Sequence, residues 1–238
     1  MRPLLFALCL VAPAAHAATC TAHSGEARTR LIELYTSEGC SSCPPADQWL
    51  SRLPADSGVP LAFHVDYWDR LGWKDPYAQA AFSQRQRARN RGLGWVYTPQ
   101  VMVDGEDMRH WYRGLPPATA TRAPLTLRLA LTPAAQFLDV AITPEFRLEP
   151  ARPRAKLYLA LTEKRLESRI EAGENARKTL RHDHVVRTLL GPFPASALRH
   201  RFALDRQWKR NDLGVTAFVL DARGTTLQAV AAACPPPA

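Results

Sequence analysis

The hydrophobic pattern of this chain changes near residue 122. Before that point, short apolar runs alternate with amphipathic stretches. Leu31-Ile32-Glu33-Leu34-Tyr35 reads as a strand that ends at Thr36-Ser37-Glu38-Gly39. Residues 40–45 lead into a helix that reaches Leu53 and stops around Pro54 and Gly58. Pro44 and Pro45 suit its first turn, where a missing N–H costs nothing. Residues 59–65 form a second strand, followed by the loop Asp66-Tyr67-Trp68-Asp69. Asp75-Pro76 opens an amphipathic helix that runs to about Arg91 and stops at Gly92 and Gly94. Val101-Met102-Val103 is a third strand, turned by Asp104-Gly105 in a hairpin signal.

From Leu125 onward the period is two. Thr126-Leu127-Arg128-Leu129-Ala130-Leu131 alternates, as do residues 138–142 and 156–161. Residues 198–204, 215–220 and 226–231 are later strands of the same kind. At least six strands with little helix predict a β-rich, sandwich-like domain over residues 123–238. The strand–helix–strand unit with its hairpin occupies residues 18–122. Pro235-Pro236-Pro237 reads as a frayed tail.

The first seventeen residues read as a signal peptide. Met1-Arg2 gives a positive start, residues 4–12 an apolar run, and Ala15-His16-Ala17 the small-x-small pattern of a cleavage site. The apolar run is shorter than the ~20 residues needed to span a bilayer. Thr19 stands before Cys20 where a lipoprotein signal requires a smaller residue. The expected mature protein is periplasmic or secreted, with no membrane insertion after cleavage.

That compartment changes the meaning of the cysteines. Four remain after cleavage: Cys20, Cys40, Cys43 and Cys234. An even number in an oxidising compartment suggests two disulfides. Spacing favours Cys40–Cys43 and a structural Cys20–Cys234 bond between the chain ends. The net charge of +9 is carried mostly by arginine. Its one cluster, Arg85, Arg87, Arg89 and Arg91, alternates with Gln84, Gln86, Ala88 and Asn90. This predicts the solvated face of a helix, and no nucleic-acid partner is expected.

Cys40-Ser41-Ser42-Cys43 falls at the turn from a strand to a helix N-terminus. Two intervening residues let the sulfurs close a small disulfide. The positive end of the helix then favours a thiolate at Cys40, making it a nucleophile and a good leaving group. Cys43 is the resolving thiol. A static disulfide and half of a zinc site are the alternatives, but no second ligand pair of suitable spacing exists.

Leu34-Tyr35-Thr36-Ser37-Glu38-Gly39-Cys40-Ser41-Ser42-Cys43-Pro44-Pro45-Ala46-Asp47, Val65-Asp66-Tyr67-Trp68-Asp69 and Tyr97-Thr98-Pro99-Gln100 together resemble a secreted bacterial thioredoxin-like family catalogued as a domain of unknown function. Gly173-Glu174-Asn175 and residues 180–187 extend the likeness into the later half. The resemblance implies an α/β thioredoxin-like domain followed by the β-rich, sandwich-like domain. It gives Cys40 and Cys43 the redox positions and Pro99 a cis-proline position, where Thr98 offers backbone groups to a bound peptide. The segment 108–123, with Pro116-Pro117, leaves little room for the closing helix of such a fold.

Other candidates sit nearby. Asp66 is a candidate proton acceptor for Cys43, and Tyr67 and Trp68 candidate walls of a substrate groove. His64 reads as a satisfied core histidine. Glu38 either opposes thiolate formation at Cys40 or caps the helix. His182-Asp183-His184 resembles a metal-ligand fragment, but a polar strand edge is favoured, and neither metal nor cofactor is assigned. The leading functional expectation is thiol–disulfide exchange with exported protein thiols or disulfides. A binding or adaptor protein with a static disulfide is the second, and a copper carrier using the cysteines with a nearby histidine the third.

Overall fold

A computed structural model describes residues 18–90, 92, 94–117, 121–147 and 154–235. The expected signal peptide, Arg91 and the last two prolines lie outside the described residues. Fourteen strands and two α-helices are present among those described. In chain order they are β1 (Cys20–His23), β2 (Leu31–Thr36), α1 (Pro44–Ser51), β3 (Val59–His64), α2 (Ala80–Arg89), β4 (Gln100–Val103) and β5 (Glu106–Asp107). The later half supplies β6 (Leu125–Pro133), β7 (Phe137–Phe146), β8 (Lys156–Glu163), β9 (Leu166–Arg169), β10 (Thr179–His182), β11 (Val185–Pro194), β12 (Leu198–Ala203), β13 (Leu213–Leu220) and β14 (Thr226–Ala233).

The expected fold class is overturned. The chain is not an α/β thioredoxin-like domain followed by a β domain; it is mostly β, with strands from both sides of residue 122 in one sheet. That sheet has eight strands in the order β14-β13-β8-β11-β3-β2-β4-β5. β2 and β3 run parallel, as their connection through α1 requires, with Leu31 opposite Val59 and Thr36 opposite His64. The sheet does not end at β3. β11 pairs with it in parallel at Val185 and Ala62, and the Ala62 amide donates to the His184 carbonyl at 2.9 Å. β8, β13 and β14 then continue antiparallel. A strand edge that the sequence left open is therefore covered by the chain's own later half.

Alternation along the shared sheet assigns its two faces. Leu157, Leu159, Leu161, Val215, Ala217 and Val219 point to one side and pack on the four-stranded antiparallel sheet β1-β6-β7-β12. The period-two run in β6 supplies Leu125, Leu127, Leu129 and Leu131 to that interface, all buried. The opposite face carries Leu31, Tyr35, Leu61 and Phe63 from the first half beside Ala160, Val186, Phe218 and Ala229 from the second. One hydrophobic core thus spans the boundary predicted at residue 122. α1 packs through Ala46 and Leu50 on Ile32, Leu34, Ala62 and Val101.

Two local expectations also change. α2 begins at Ala80 rather than Asp75, because the Asp75 carboxylate is drawn to His64 and the Gln79 amide donates to the His64 carbonyl at 3.1 Å. Nor is the arginine run solvated throughout: Arg87 is exposed as expected, but two of its members are not. Arg85 and Arg89 turn inward onto Glu33, and only 10% of either side chain is exposed. Arg85 lies over the rings of Phe63, Tyr158 and Phe218, while Arg89 also donates to the Gly224 carbonyl in the β13–β14 turn. α2, which puts only Phe82 into the hydrophobic core, is held to the sheet beneath it by a buried acid as well.

Among the described residues of segment 108–123 the helical structure is a 3-10 turn at Trp111–Arg113, and Arg122 forms an antiparallel bridge with Ala27. Asp104 and Gly105 both take positive φ, at 53° and 94°, as a tight hairpin demands. A Cys20–Cys234 disulfide joins the two ends of the described chain.

Candidate functional site

β2 delivers the chain to the cysteine motif. It ends at Thr36, and Ser37 folds back so that its carbonyl accepts from the Cys40 amide at 3.2 Å. Cys43 is the N-cap of α1, and its carbonyl accepts from the amides of Ala46 and Asp47. Pro44 and Pro45 open the helix without N–H groups of their own. The Cys40–Cys43 disulfide is closed. Ser42 Oγ lies 3.4 Å from Cys40 Sγ. Both cysteines are fully buried, whereas Ser41 and Ser42 are exposed.

Part of that cover comes from the later half. Asn175 Nδ2 donates to the carbonyls of both Glu38 and Cys40, at 2.9 Å each. The Ser41 amide donates to Glu174 Oε2 at 3.0 Å. That contact holds the Glu174 carboxyl below its ordinary value. Gly173, at φ 74°, brings this loop against Trp73.

On the other side lies Trp68. A Cβ on Gly39 would stand 3.1 Å from that of Trp68, so the glycine permits their close approach. Trp68 Nε1 donates to Thr98 Oγ1 at 2.7 Å, and the Thr98–Pro99 peptide is cis. Trp68 therefore links the motif to the Thr98–Pro99 loop. Tyr67 turns away, its hydroxyl donating to Gln86 Oε1 at 3.2 Å. Asp66 is engaged elsewhere too: Ser83 Oγ donates to its carboxylate at 2.5 Å, and no hydrogen bond joins it to either cysteine among the described residues.

The acids flanking the motif are Glu38 and Asp47. Glu38 is fully buried and accepts from Trp73 Nε1 at 2.8 Å and His182 Nε2 at 3.2 Å, so it does not cap the helix. Asp47, in the first turn of α1, accepts from Thr36 Oγ1 at 3.0 Å and faces His182 Nδ1 at 3.7 Å. His182 is 2% exposed. The expected polar strand edge is therefore corrected: β10 ends at His182, His184 takes a positive φ of 58°, and only His182 turns inward to these acids. Burial alone would push its imidazolium down, but Asp47 and Glu38 raise it to about 10.

His64 is buried at the end of β3, its ring edge-on to that of His182 with centroids 4.9 Å apart. Its Nδ1 meets Asp75 Oδ2 at 2.7 Å, while Nε2 has no hydrogen-bond partner. Burial alone would raise the Asp75 carboxyl, yet His64 and the backbone amides of Glu38 and Tyr77 hold it below the usual range. Three acids and two imidazoles thus share one buried space beside the disulfide. No lysine or arginine forms an ion pair with them among the described residues. The residues between Cys43 and His182 are too many for a local pattern to announce this cluster. A cleft of about 400 Å³, lined in part by Pro44, Asp47, Arg181 and His182, reaches it from outside. A larger cleft of about 900 Å³ lies along β13 and β14 and includes none of the motif residues.

Fold and site together define a β-rich, two-disulfide protein whose dicysteine bridge opens its first helix above a buried acid–histidine cluster. The chain belongs to the family described as "Protein of unknown function (DUF1223)", which matches residues 31–220. No curated protein matched the sequence. Among solved structures it is similar to a protein of Agrobacterium tumefaciens, at 23% identity and a TM-score of 0.59, covering 88% of this chain and 96% of that one. It is also similar to HBP35 of Porphyromonas gingivalis, at 15% identity and a TM-score of 0.63, covering 88% of this chain and 76% of that one. At these identities the likeness concerns the fold.

Proposed function

We propose that the chain exchanges disulfides with exported proteins through Cys40 and Cys43, in the periplasm or outside the cell. The observation that carries this reading is the bridge itself, closed between a loop and the N-cap of α1. The helix dipole and the Ser42 hydroxyl act on the sulfurs there. Because Pro44 and Pro45 contribute no N–H, stabilisation of a Cys40 thiolate is weaker than a helix N-terminus ordinarily gives.

In the exchange, a substrate thiolate attacks Cys40 Sγ. A mixed disulfide forms, the Cys40–Cys43 bond breaks, and Cys43 leaves as a thiolate. The second substrate thiolate attacks the substrate sulfur of that mixed disulfide. The substrate gains a disulfide, Cys40 is released, and the two substrate protons end on Cys40 and Cys43. The reverse sequence reduces a substrate disulfide, and the reduction potential sets the direction. Trp68 and Thr98 flank the motif where a bound strand would lie. Two disulfides, and the lack of any helix among the described residues long and apolar enough to cross a membrane, accord with an exported protein.

Complete burial of both cysteines favours a second reading, a binding protein whose bridge is static. The reduction potential separates the two. A value between about −120 and −270 mV supports exchange, and a value below about −300 mV assigns a structural bond.

A further inference from the structure

We infer that Asp47, His64 and His182 form a binding site for a divalent transition-metal cation of the zinc class. One oxygen of Asp47 and one ring nitrogen of each histidine lie within 4.8 Å of one another, all from buried residues. Around a tetrahedral ion with bonds of about 2.0–2.2 Å, ligand atoms stand roughly 3.4 Å apart. The Asp47–His182 pair, at 3.7 Å, is already close to that spacing.

The hydrogen bonds behind the two rings fix which nitrogen of each is left unengaged. Asp75, an acceptor, takes the proton of His64 Nδ1, which leaves a lone pair on Nε2. Glu38 likewise accepts from His182 Nε2, which leaves Nδ1 as the nitrogen that faces Asp47, where a bound cation takes the place of its proton. His64 Nε2 and His182 Nδ1 are both buried and without a hydrogen-bond partner. Thr36 holds the second oxygen of Asp47. Each ligand is thus oriented from behind by a polar partner, the arrangement that aligns histidine and carboxylate ligands on a metal. Glu38, Asp47 and Asp75, with no lysine or arginine paired to them among the described residues, bring more negative charge than His182 offsets, and a divalent cation that displaces the His182 Nδ1 proton would balance it. Two imidazoles and one carboxylate suit zinc, cobalt or copper(II) better than calcium or magnesium. The cleft that Asp47 and His182 help to line provides entry.

This site uses neither cysteine, so its test keeps the disulfide closed and stands apart from the exchange reading. Full-length, tag-free protein, stripped with chelator and shown by thiol assay to contain no free thiol, is titrated with zinc by calorimetry and with cobalt by visible absorption. One equivalent binds with a Kd of micromolar or tighter. His64→Gln and His182→Gln each weaken binding at least about 100-fold, Asp75→Asn weakens it about 10- to 100-fold, and His110→Gln, at an exposed histidine, leaves it unchanged. Should the buried variants fail to fold, nitrogen-resolved NMR of the wild-type histidine rings decides: zinc shifts His64 Nε2 and His182 Nδ1. The proposal is overturned if no binding occurs below 1 mM, a ceiling of about −4 kcal/mol, or if the affected rings are those of His23, His110 or His200.

Discussion

Replacing Glu33 with Gln tests whether the two segments of the chain share one structure. Glu33 is 1% exposed in the middle of β2 and accepts from Arg85 Nε at 3.1 Å, Arg85 Nη2 at 2.5 Å and Arg89 Nη2 at 2.9 Å. Burial alone would push its carboxyl up, but the Arg85 and Arg89 guanidiniums hold it below its ordinary 4.5. In Glu33→Gln one acceptor and the shape survive, while two poorly solvated guanidiniums lose their counter-charge. Removing one partner of a buried pair costs about 3–5 kcal/mol, and the retained amide places this change near the lower end. Arg89 also bonds the turn after β13, so the loss is transmitted to the later half. Urea unfolding followed in parallel by tryptophan fluorescence and far-UV circular dichroism measures it. Five of the six tryptophans precede residue 122, whereas most strands follow it, so the two probes weight different segments. Both midpoints should fall together by the same free energy. The sign with pH follows from the lowered carboxyl. Its contribution is present above pH 4.5 and is lost as pH falls through the folded-state value, so wild type and variant converge below pH 4.5. A loss under about 1 kcal/mol would refute the role of the pair. A fluorescence midpoint that moves without the dichroism midpoint would refute the shared core.

Cys20→Ser with Cys234→Ser opens a loop with a sequence separation of 214, and the chain-entropy estimate sets the loss at up to about 5 kcal/mol; a non-reducing urea melt that moved by less than about 1 kcal/mol would contradict a stabilising role. Asn175→Ala removes both bonds to the carbonyls of Glu38 and Cys40, so stability falls by about 1–3 kcal/mol and dithiothreitol reduces the Cys40–Cys43 bond faster. An unchanged reduction rate would show that this loop does not shield the bridge. Gly105→Ala places a Cβ 2.6 Å from the Gly224 carbonyl oxygen at a φ of 94°, for an expected loss of about 1–3 kcal/mol in thermal or urea melts.

What the sequence revealed divides along a physical line. Local signals carried well: the β2 run, the proline-opened α1, the Asp104-Gly105 turn and the leucine alternation of β6 are each set by residues within a few positions of one another. The pairing of β11 with β3 left no such trace, because a parallel partner more than a hundred residues away adds no local periodicity to Ala62 or Val185. The arginine run shows how an ambiguous pattern resolves the other way. Arg85 and Arg89 are four apart on one face of α2, a spacing equally consistent with solvent or with a buried acid, and only Glu33 in a neighbouring layer decides. Cys40 and Cys43 declare themselves by spacing and by the strand-to-helix turn, whereas Glu38, Asp47 and His182 become a unit only because β10 returns to α1. Alternation along a regular strand would set His182 and His184 on one face, but the positive φ at His184 ends that regularity two residues later. In one sequence, then, an acid that follows a dicysteine turn is informative in proportion to what folds back upon it. For this chain the decisive contact spans 144 positions, from Glu38 to His182.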